Sequence, residues 1–198
     1  MTDTPRNRED TRQRILNAAL DLLAKGGFGA LGINAVAREA GADKQLIYRY
    51  FGGMDGLTEA MGLAVAEELT AALAPSADPP PGSYADLMER LALALFDYLA
   101  GNARYRQIRA VEIAAPSPAT AAFATARGRA IRNWVLAARG GLAPPEGIDA
   151  PALNAALIAT VEGMTVLGAA GMPLDDAASR ARARAALRRL VRGAYVAG

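Results

Sequence analysis

The sequence of 198 residues contains no cysteine and no histidine. Without cysteine the chain has no disulfide framework and no thiolate nucleophile, and without both residue types it lacks the usual zinc ligands. The absence of histidine also removes the side chain that most often performs acid–base chemistry near neutral pH. We therefore expect a protein that is not an enzyme and that holds no metal ion and no cofactor.

Long apolar runs are also missing. No uninterrupted stretch of about 18 apolar residues occurs, so a membrane-spanning helix is not expected. The first residues, MTDTPRNREDTRQR, are polar and charged and do not have the apolar core of a secretory signal. These features predict a cytoplasmic protein with no membrane partner.

The excess of positive over negative charge is also small. The formal net charge is +2. Residues 1–51 carry 8 lysines and arginines against 6 acidic residues, and the remainder carries 14 of each, so the whole excess lies in the first quarter. This is far from the strongly basic surface of a non-specific nucleic-acid binder.

The residues that are present predict an all-α protein. Alanine is abundant, β-branched residues are few, and no segment alternates between apolar and polar residues. Pro75 to Ser83, with three consecutive prolines, is the plainest loop. We predict two domains, 1–53 and 54–198, and about nine helices: 9–25, two within 33–51, then 55–73, 84–100, 104–114, 118–139, 151–170 and 175–196.

The segment INAVAREAGADKQLIYRYF, residues 33–51, has the pattern of a helix-turn-helix. Gly41 provides the turn, and Asp43 is placed to cap the second helix. Apolar residues recur at helical spacing in both helices: Ile33, Val36, Ala37 and Ala40, then Ile47 and Phe51. The opposite side of the second helix carries hydrogen-bonding groups suited to phosphates and base edges, namely Lys44, Gln45, Tyr48 and Arg49.

Over residues 11–61 the chain resembles the tetracycline-repressor (TetR) family of transcriptional regulators. The resemblance lies in TRQRILNAALDLLAKGGF, INAVAREAG, DKQLIYRYF and MDGLTEAM. The resemblance implies a homodimer that binds a palindromic double-stranded operator and is released by a small-molecule inducer. It also implies a helix-turn-helix domain followed by a helical ligand-binding and dimerisation domain. The DNA contacts that it implies are Asn34, Lys44, Gln45, Leu46, Tyr48, Arg49 and Tyr50.

Several of these roles have alternatives. Tyr48 and Tyr50 could be aromatic residues of the core, and Lys44 and Arg49 could be charged residues that only face solvent. Leu46 could either pack between helices or touch a thymine methyl.

Two positions depart from the family. Gly32 stands where a capping threonine is common, and Met54 where a lysine is common, so two phosphate contacts are missing. The arginines of the N-terminal arm, Arg6, Arg8, Arg12 and Arg14, could compensate.

The second domain offers candidates for a largely apolar ligand pocket: Phe96, Tyr98, Ile108, Arg109, Glu112, Phe123, Trp134 and Met164. Arg109 and Glu112 could equally form a surface ion pair of little energetic weight. The resemblance implies a dimer interface on the last two helices, where small residues recur, with Arg182, Arg184, Arg188 and Arg189 at its rim. The alternative is that these small residues pack within one chain. Two other classes stay open: a helical small-molecule-binding protein or enzyme in which Glu112 or Glu162 performs acid–base chemistry, and a protein-binding module that never touches DNA.

Overall fold

The computed structural model describes residues 5–166, 174 and 176–195, without the side chains of residues 5 and 6. This part of the chain forms nine α-helices and no β-strand, as the sequence predicts. The helices are α1 (Pro5–Gly26), α2 (Ile33–Ala40), α3 (Lys44–Phe51), α4 (Met54–Leu73), α5 (Tyr84–Gly101), α6 (Ala103–Ala114), α7 (Pro118–Arg139), α8 (Ala150–Val166) and α9 (Ala177–Ala194). The break predicted at 171–173, residues 167–170 and 175, Val196 and the Arg6 side chain lie outside the described residues.

Helical spacing in the sequence predicts that Ile15, Ala18, Ala19 and Leu22 form the inward face of α1, and the structure differs from this prediction at one position. Ile15, Ala18 and Ala19 are buried as expected, but Leu22 is only half-buried and Leu23 is fully buried. The buried row Leu16, Ala19, Leu20 and Leu23 follows the i, i+3, i+4, i+7 spacing, which leaves Leu22 on the flank of the stripe. Phe28, which follows the glycines at the end of α1, packs edge-to-face on Phe123 of α7 with the ring centroids 5.8 Å apart.

Helix α5 is the centre of the C-terminal packing, and it buries nine of its side chains. It packs against both α8 and α9. A hydrogen-bonded chain joins the three helices: Asn154 Nδ2 donates to the Tyr84 hydroxyl over 2.9 Å, and the Tyr195 hydroxyl donates to Asn154 Oδ1 over 2.6 Å. Trp134 of α7 donates its indole N–H to the Leu73 carbonyl at the end of α4, over 2.8 Å.

The contacts divide the chain into two compact units. The first contains the residues up to Ala66 together with Gln107–Arg127, and the second contains Glu67–Arg106 and the residues from Gly128 onward. Helices α4, α6 and α7 each begin in one unit and end in the other. The functional boundary between residues 53 and 54 stays a prediction, because contact density alone does not assign function. Among the described helices, none combines the length and the apolar character needed to cross a bilayer.

Candidate nucleic-acid interface

Helices α2 and α3 form the helix-turn-helix that the sequence predicts. Gly41 ends α2 in the left-handed conformation at φ 57°, and its N–H bonds back to the Arg38 carbonyl over 3.2 Å. Asp43 then caps α3, since its carboxylate accepts the Gln45 N–H over 2.8 Å. The turn is therefore fixed at one end by a backbone hydrogen bond and at the other by a side-chain cap.

Helix α3 separates an apolar side from a polar side. Ile47 is fully buried and Phe51 is buried, so the opposite side faces solvent. Four side chains on that side are exposed, namely Lys44, Gln45, Tyr48 and Arg49. The ring of Tyr48 is 57% exposed, which excludes the core position left open as its alternative. The hydrogen-bonding groups of this row have the chemistry that suits base edges and phosphates in a major groove.

The other candidate DNA-contacting residues differ in their exposure to solvent. Asn34 is exposed in the first turn of α2. Leu46 and Tyr50 are half-buried, so each still has a side available for contact. The Arg49 guanidinium carbon lies 6.0 Å from the Tyr50 ring centroid, at the outer limit of a cation–π contact. The Tyr50 ring therefore lies close enough to influence the position of the Arg49 guanidinium group.

A contact that the sequence did not predict ties α1 to the end of α3. The Arg12 guanidinium carbon lies 5.3 Å from the Phe51 ring centroid, and Arg12 also pairs with Glu9 at 3.4 Å. The periodicity of α1 gives no sign of this contact, because it depends on how two separate helices cross. Arg12 thus stabilises the end of α3 through the aromatic ring of Phe51.

The two departures from the family pattern are visible in the backbone. Gly32 occupies the N-cap of α2 and makes no side-chain capping bond. At the start of α4, Met54 is half-buried and Asp55 is exposed in the first turn. An acidic residue suits the positive end of the helix dipole but repels a phosphate. Neither helix start supplies a cationic side chain for DNA.

The predicted ligand residues fall in both compact units. Ile108, Arg109, Glu112 and Phe123 lie in the first, and Phe96, Tyr98, Trp134 and Met164 lie in the second. Phe96, Ile108, Phe123 and Trp134 are buried, whereas Tyr98 and Met164 are half-buried. Burial, reinforced by the nearby Glu68 carboxylate, raises the pKa of Tyr98 far above the ordinary tyrosine value, so Tyr98 is neutral and remains a hydrogen-bond donor. Their role in ligand binding stays a prediction.

Arg109 and Glu112 do not form the surface pair considered as an alternative. Both are buried, and Glu112 Oε2 accepts hydrogen bonds from Arg109 and, over 2.6 Å, from Arg127 of α7. Arg127 was missed from the sequence, although a signal exists. It lies four residues after Phe123 and three before Ala130, both buried, which puts an arginine on the inward stripe of α7. Among the described residues no group of acidic side chains is arranged to hold a metal ion.

Residues 15–61 match the family model described as bacterial regulatory proteins, tetR family. A curated relative, the HTH-type transcriptional regulator AlkX of Mycobacterium tuberculosis, is 34% identical over 73 residues. That match covers 37% of this chain and 35% of the relative, so the chain matches only about a third of that protein's length.

Solved structures are similar over almost the whole chain. GusR of Salmonella enterica has a TM-score of 0.69 at 20% identity, with 97% of each chain covered. A member of the TetR family from Streptomyces coelicolor A3 has a TM-score of 0.66 at 25% identity, covering 91% of this chain and 98% of its own. The multidrug binding protein EbrR, complexed with malachite green, has a TM-score of 0.64 at 26% identity, covering 90% and 96%. The fold of this chain is therefore similar to that of these proteins.

Proposed function

We propose that this chain, whose residues 15–61 match the family model of the TetR bacterial regulatory proteins, is a ligand-responsive, sequence-specific DNA-binding regulator. It represses transcription from a palindromic operator and is released by a small-molecule inducer. The match to a family of regulatory proteins agrees with the expectation that the chain is not an enzyme. It also argues against the alternatives of a helical enzyme or a module that never touches DNA.

The single observation that carries the proposal is the exposed polar side of α3. Lys44, Gln45, Tyr48 and Arg49 project from a helix whose opposite side is buried in the first unit. A helix held in this way enters the major groove as a rigid rod, and its outward side chains reach base edges and phosphates. Because the net basic excess is small, affinity depends on this geometry and on two copies acting together.

Dimerisation through α8 and α9 is the second part of the proposal. Both helices bury one side against α5 and leave small residues exposed: Ala152, Ala155, Ala156 and Ala159 on α8, and Ala178, Ala185, Ala186 and Gly193 on α9. Small side chains let two helix pairs approach closely, and Leu190, 57% exposed on α9, supplies apolar area. Of the arginines proposed to rim this surface, Arg184 pairs with Asp97 and Arg188 with Glu89 of α5, while Arg182 and Arg189 are exposed.

The inducer that we propose is small and largely apolar. The candidate pocket residues are mainly aromatic and aliphatic, and EbrR, which has a similar fold, is complexed with malachite green. Such a ligand can release DNA only by binding one conformation more tightly than the other, with a coupling of typically about 1–3 kcal/mol. We place the protein in the cytoplasm, where its operator would be accessible.

The test begins with the operator, which is selected by the wild-type protein from random duplex DNA at low ionic strength. Tyr48→Ala and Arg49→Ala should each weaken operator binding by about 1–3 kcal/mol if the residue contacts a base, with the thermal unfolding curve unchanged. Arg132→Ala is the matched control, because Arg132 is an exposed arginine on α7 in the second unit. If both α3 variants bound as well as the wild type, α3 would not be the reading helix.

A further inference from the structure

The corner between α3 and α4 contains very little chain. Helix α3 ends at Phe51 and α4 begins at Met54, so only Gly52 and Gly53 lie between them. Both have positive φ angles, 75° and 120°, which L side chains rarely adopt. The second of these glycines is buried, and the Tyr48 ring lies 3.8 Å from the point where its Cβ would stand.

A third glycine, Gly56 in the first turn of α4, is required for a different reason. A Cβ added to Gly56 would stand 1.8 Å from the Phe51 carbonyl oxygen and 3.0 Å from its carbonyl carbon. These are backbone atoms, so no side-chain rotation relieves the clash. Because a C–C bond is about 1.5 Å long, the Gly56 Cα lies within about 3.3 Å of that oxygen, in the range of a Cα–H···O contact.

Gly62, six residues further along α4, shows that the need for glycine is confined to the first turn of this helix. A Cβ there would lie 3.5 Å from the Phe123 ring, an ordinary van der Waals distance, and would meet no backbone. Glycine weakens any helix that contains it, so alanine would be favoured at both positions if helix propensity alone decided. At Gly56 the close approach of two backbones opposes that preference.

The end of α3 is held on its remaining sides. The Phe51 ring is buried, and Arg12 of α1 lies over it. A change in the direction of α4 at its first turn would therefore press on the Phe51 carbonyl rather than bend a flexible linker. Backbone contact without an intervening side chain leaves little room for the angle between the two helices to vary.

We propose that Gly56 is a positioning residue that fixes the angle at which α4 leaves the reading helix, and that this angle sets the half-site spacing the dimer accepts. This inference rests on the proposed function. One base pair of extra spacing moves a half-site by about 3.4 Å and rotates it by about 34–36°. A dimer whose reading helices are rigidly joined to α4 should reject that change strongly, and a substitution at Gly56 should alter which spacing is accepted.

The experiment compares Gly56→Ala with Gly62→Ala, two identical substitutions on one helix. The probes are the wild-type operator, duplexes with its half-sites one base pair closer or further apart, and unrelated duplex DNA. We expect Gly56→Ala to bind the original spacing at least about tenfold more weakly and to change the order of preference among the three spacings. Helicity, dimer mass and low-salt binding to unrelated DNA should be retained, and Gly62→Ala should keep the wild-type order.

A second variant covers the case in which Gly56→Ala does not fold. One glycine inserted between Gly53 and Met54 lengthens the corner and moves the Phe51 carbonyl away from the first turn of α4. This insertion should broaden the range of accepted spacings, and adding Gly56→Ala to it should then leave a folded protein. A wild-type spacing preference in the insertion variant, or in a folded Gly56→Ala variant, overturns the inference. Failure of the wild type itself to select any palindrome would instead overturn the proposed function.

Discussion

At the scale of single residues, Gly32 has a backbone conformation and surroundings that would accept a larger, capping side chain, although glycine itself supplies none. Its φ of −171° is extended, a conformation open to any residue, and a Cβ there would meet no heavy atom within 4 Å. As the N-cap of α2 it leaves the first N–H groups without a side-chain acceptor. The position can therefore hold threonine or serine without strain.

Gly32→Thr should increase operator affinity. The threonine hydroxyl adds one hydrogen-bonding group for a DNA phosphate, which we expect to contribute about 1 kcal/mol to the free energy of binding. The free energy of unfolding of the free protein should change by only a few tenths of a kcal/mol, which is roughly the difference between glycine and threonine as helix caps. Fluorescence anisotropy with the selected operator measures the first quantity and urea unfolding the second. Gly128→Ser, on the exposed side of α7, is the control; equal affinities for all three proteins would exclude a DNA contact at position 32.

Glu112 is a buried acidic residue that pairs with two buried arginines. Its side chain is 3% exposed, and one of its oxygens accepts from both Arg109 and Arg127. Glu112→Gln keeps the shape but removes the negative charge facing two buried guanidinium groups, so we expect a loss of about 3 kcal/mol in the free energy of unfolding. Urea denaturation checks this, with the exposed Glu59→Gln on α4 as control. A loss no larger than that of the control would mean that the buried cluster is not held together by charge.

At the scale of helices, the periodicity of the sequence predicts which elements form but not how they cross. The observed bounds of α7 agree with the predicted ones, and α2 and α3 lie within the predicted segment 33–51, because caps, glycines and prolines act locally. The contacts of Arg12 with Phe51 and of Phe28 with Phe123 join residues from different helices. Such contacts depend on crossing angles that no local pattern encodes, and so does the close approach at Gly56. The polar row on α3 could be predicted, since it follows from two inward residues on one helix.

Because of the chain of hydrogen bonds that joins α5, α8 and α9, we expect the free energy of unfolding to depend on pH in the alkaline range. Burial, with a smaller contribution from Tyr84, raises the pKa of Tyr195 from 10.0 to about 12. The folded state therefore keeps its proton at a pH where the unfolded chain has lost it. The resulting stability is complete below pH 10 and is lost as the pH rises towards about 12.

Tyr195→Phe should remove this dependence. The variant lacks the bond to Asn154 and should be less stable than the wild type near neutral pH. The difference between their free energies of unfolding should shrink between pH 10 and about 12, because only the wild type loses the proton of residue 195. Chemical denaturation at several pH values measures the difference, and Tyr48→Phe, at an exposed position, controls for general tyrosine titration. A difference that stayed constant over this range would place the ionisation of Tyr195 at the ordinary value.

At the scale of the whole molecule, the weak positive charge supports our proposal that a dimer is the unit that binds an operator. A single α3 offers few phosphate contacts, and the basic excess of residues 1–51 is only two charges. Two copies about 34–36 Å apart would double these contacts and add the requirement of a fixed spacing. Affinity for an operator should therefore depend on the surface formed by the exposed small residues of α8 and α9 more steeply than on any one DNA-contacting side chain.

Ala159→Glu tests this dependence. Ala159 is exposed on α8, so glutamate is accommodated in the isolated chain, but two copies would bring like charges together in a closely packed interface. We expect sedimentation to show a monomer with unchanged helicity, and operator affinity to fall by at least about a hundredfold, or about 2.7 kcal/mol, because each half-site must then be bound separately. Ala121→Glu on the exposed side of α7 should leave both mass and affinity unchanged. If Ala159→Glu remained a dimer with full affinity, the subunits would have to pair through another surface, and the half-site spacing would be set by that surface instead.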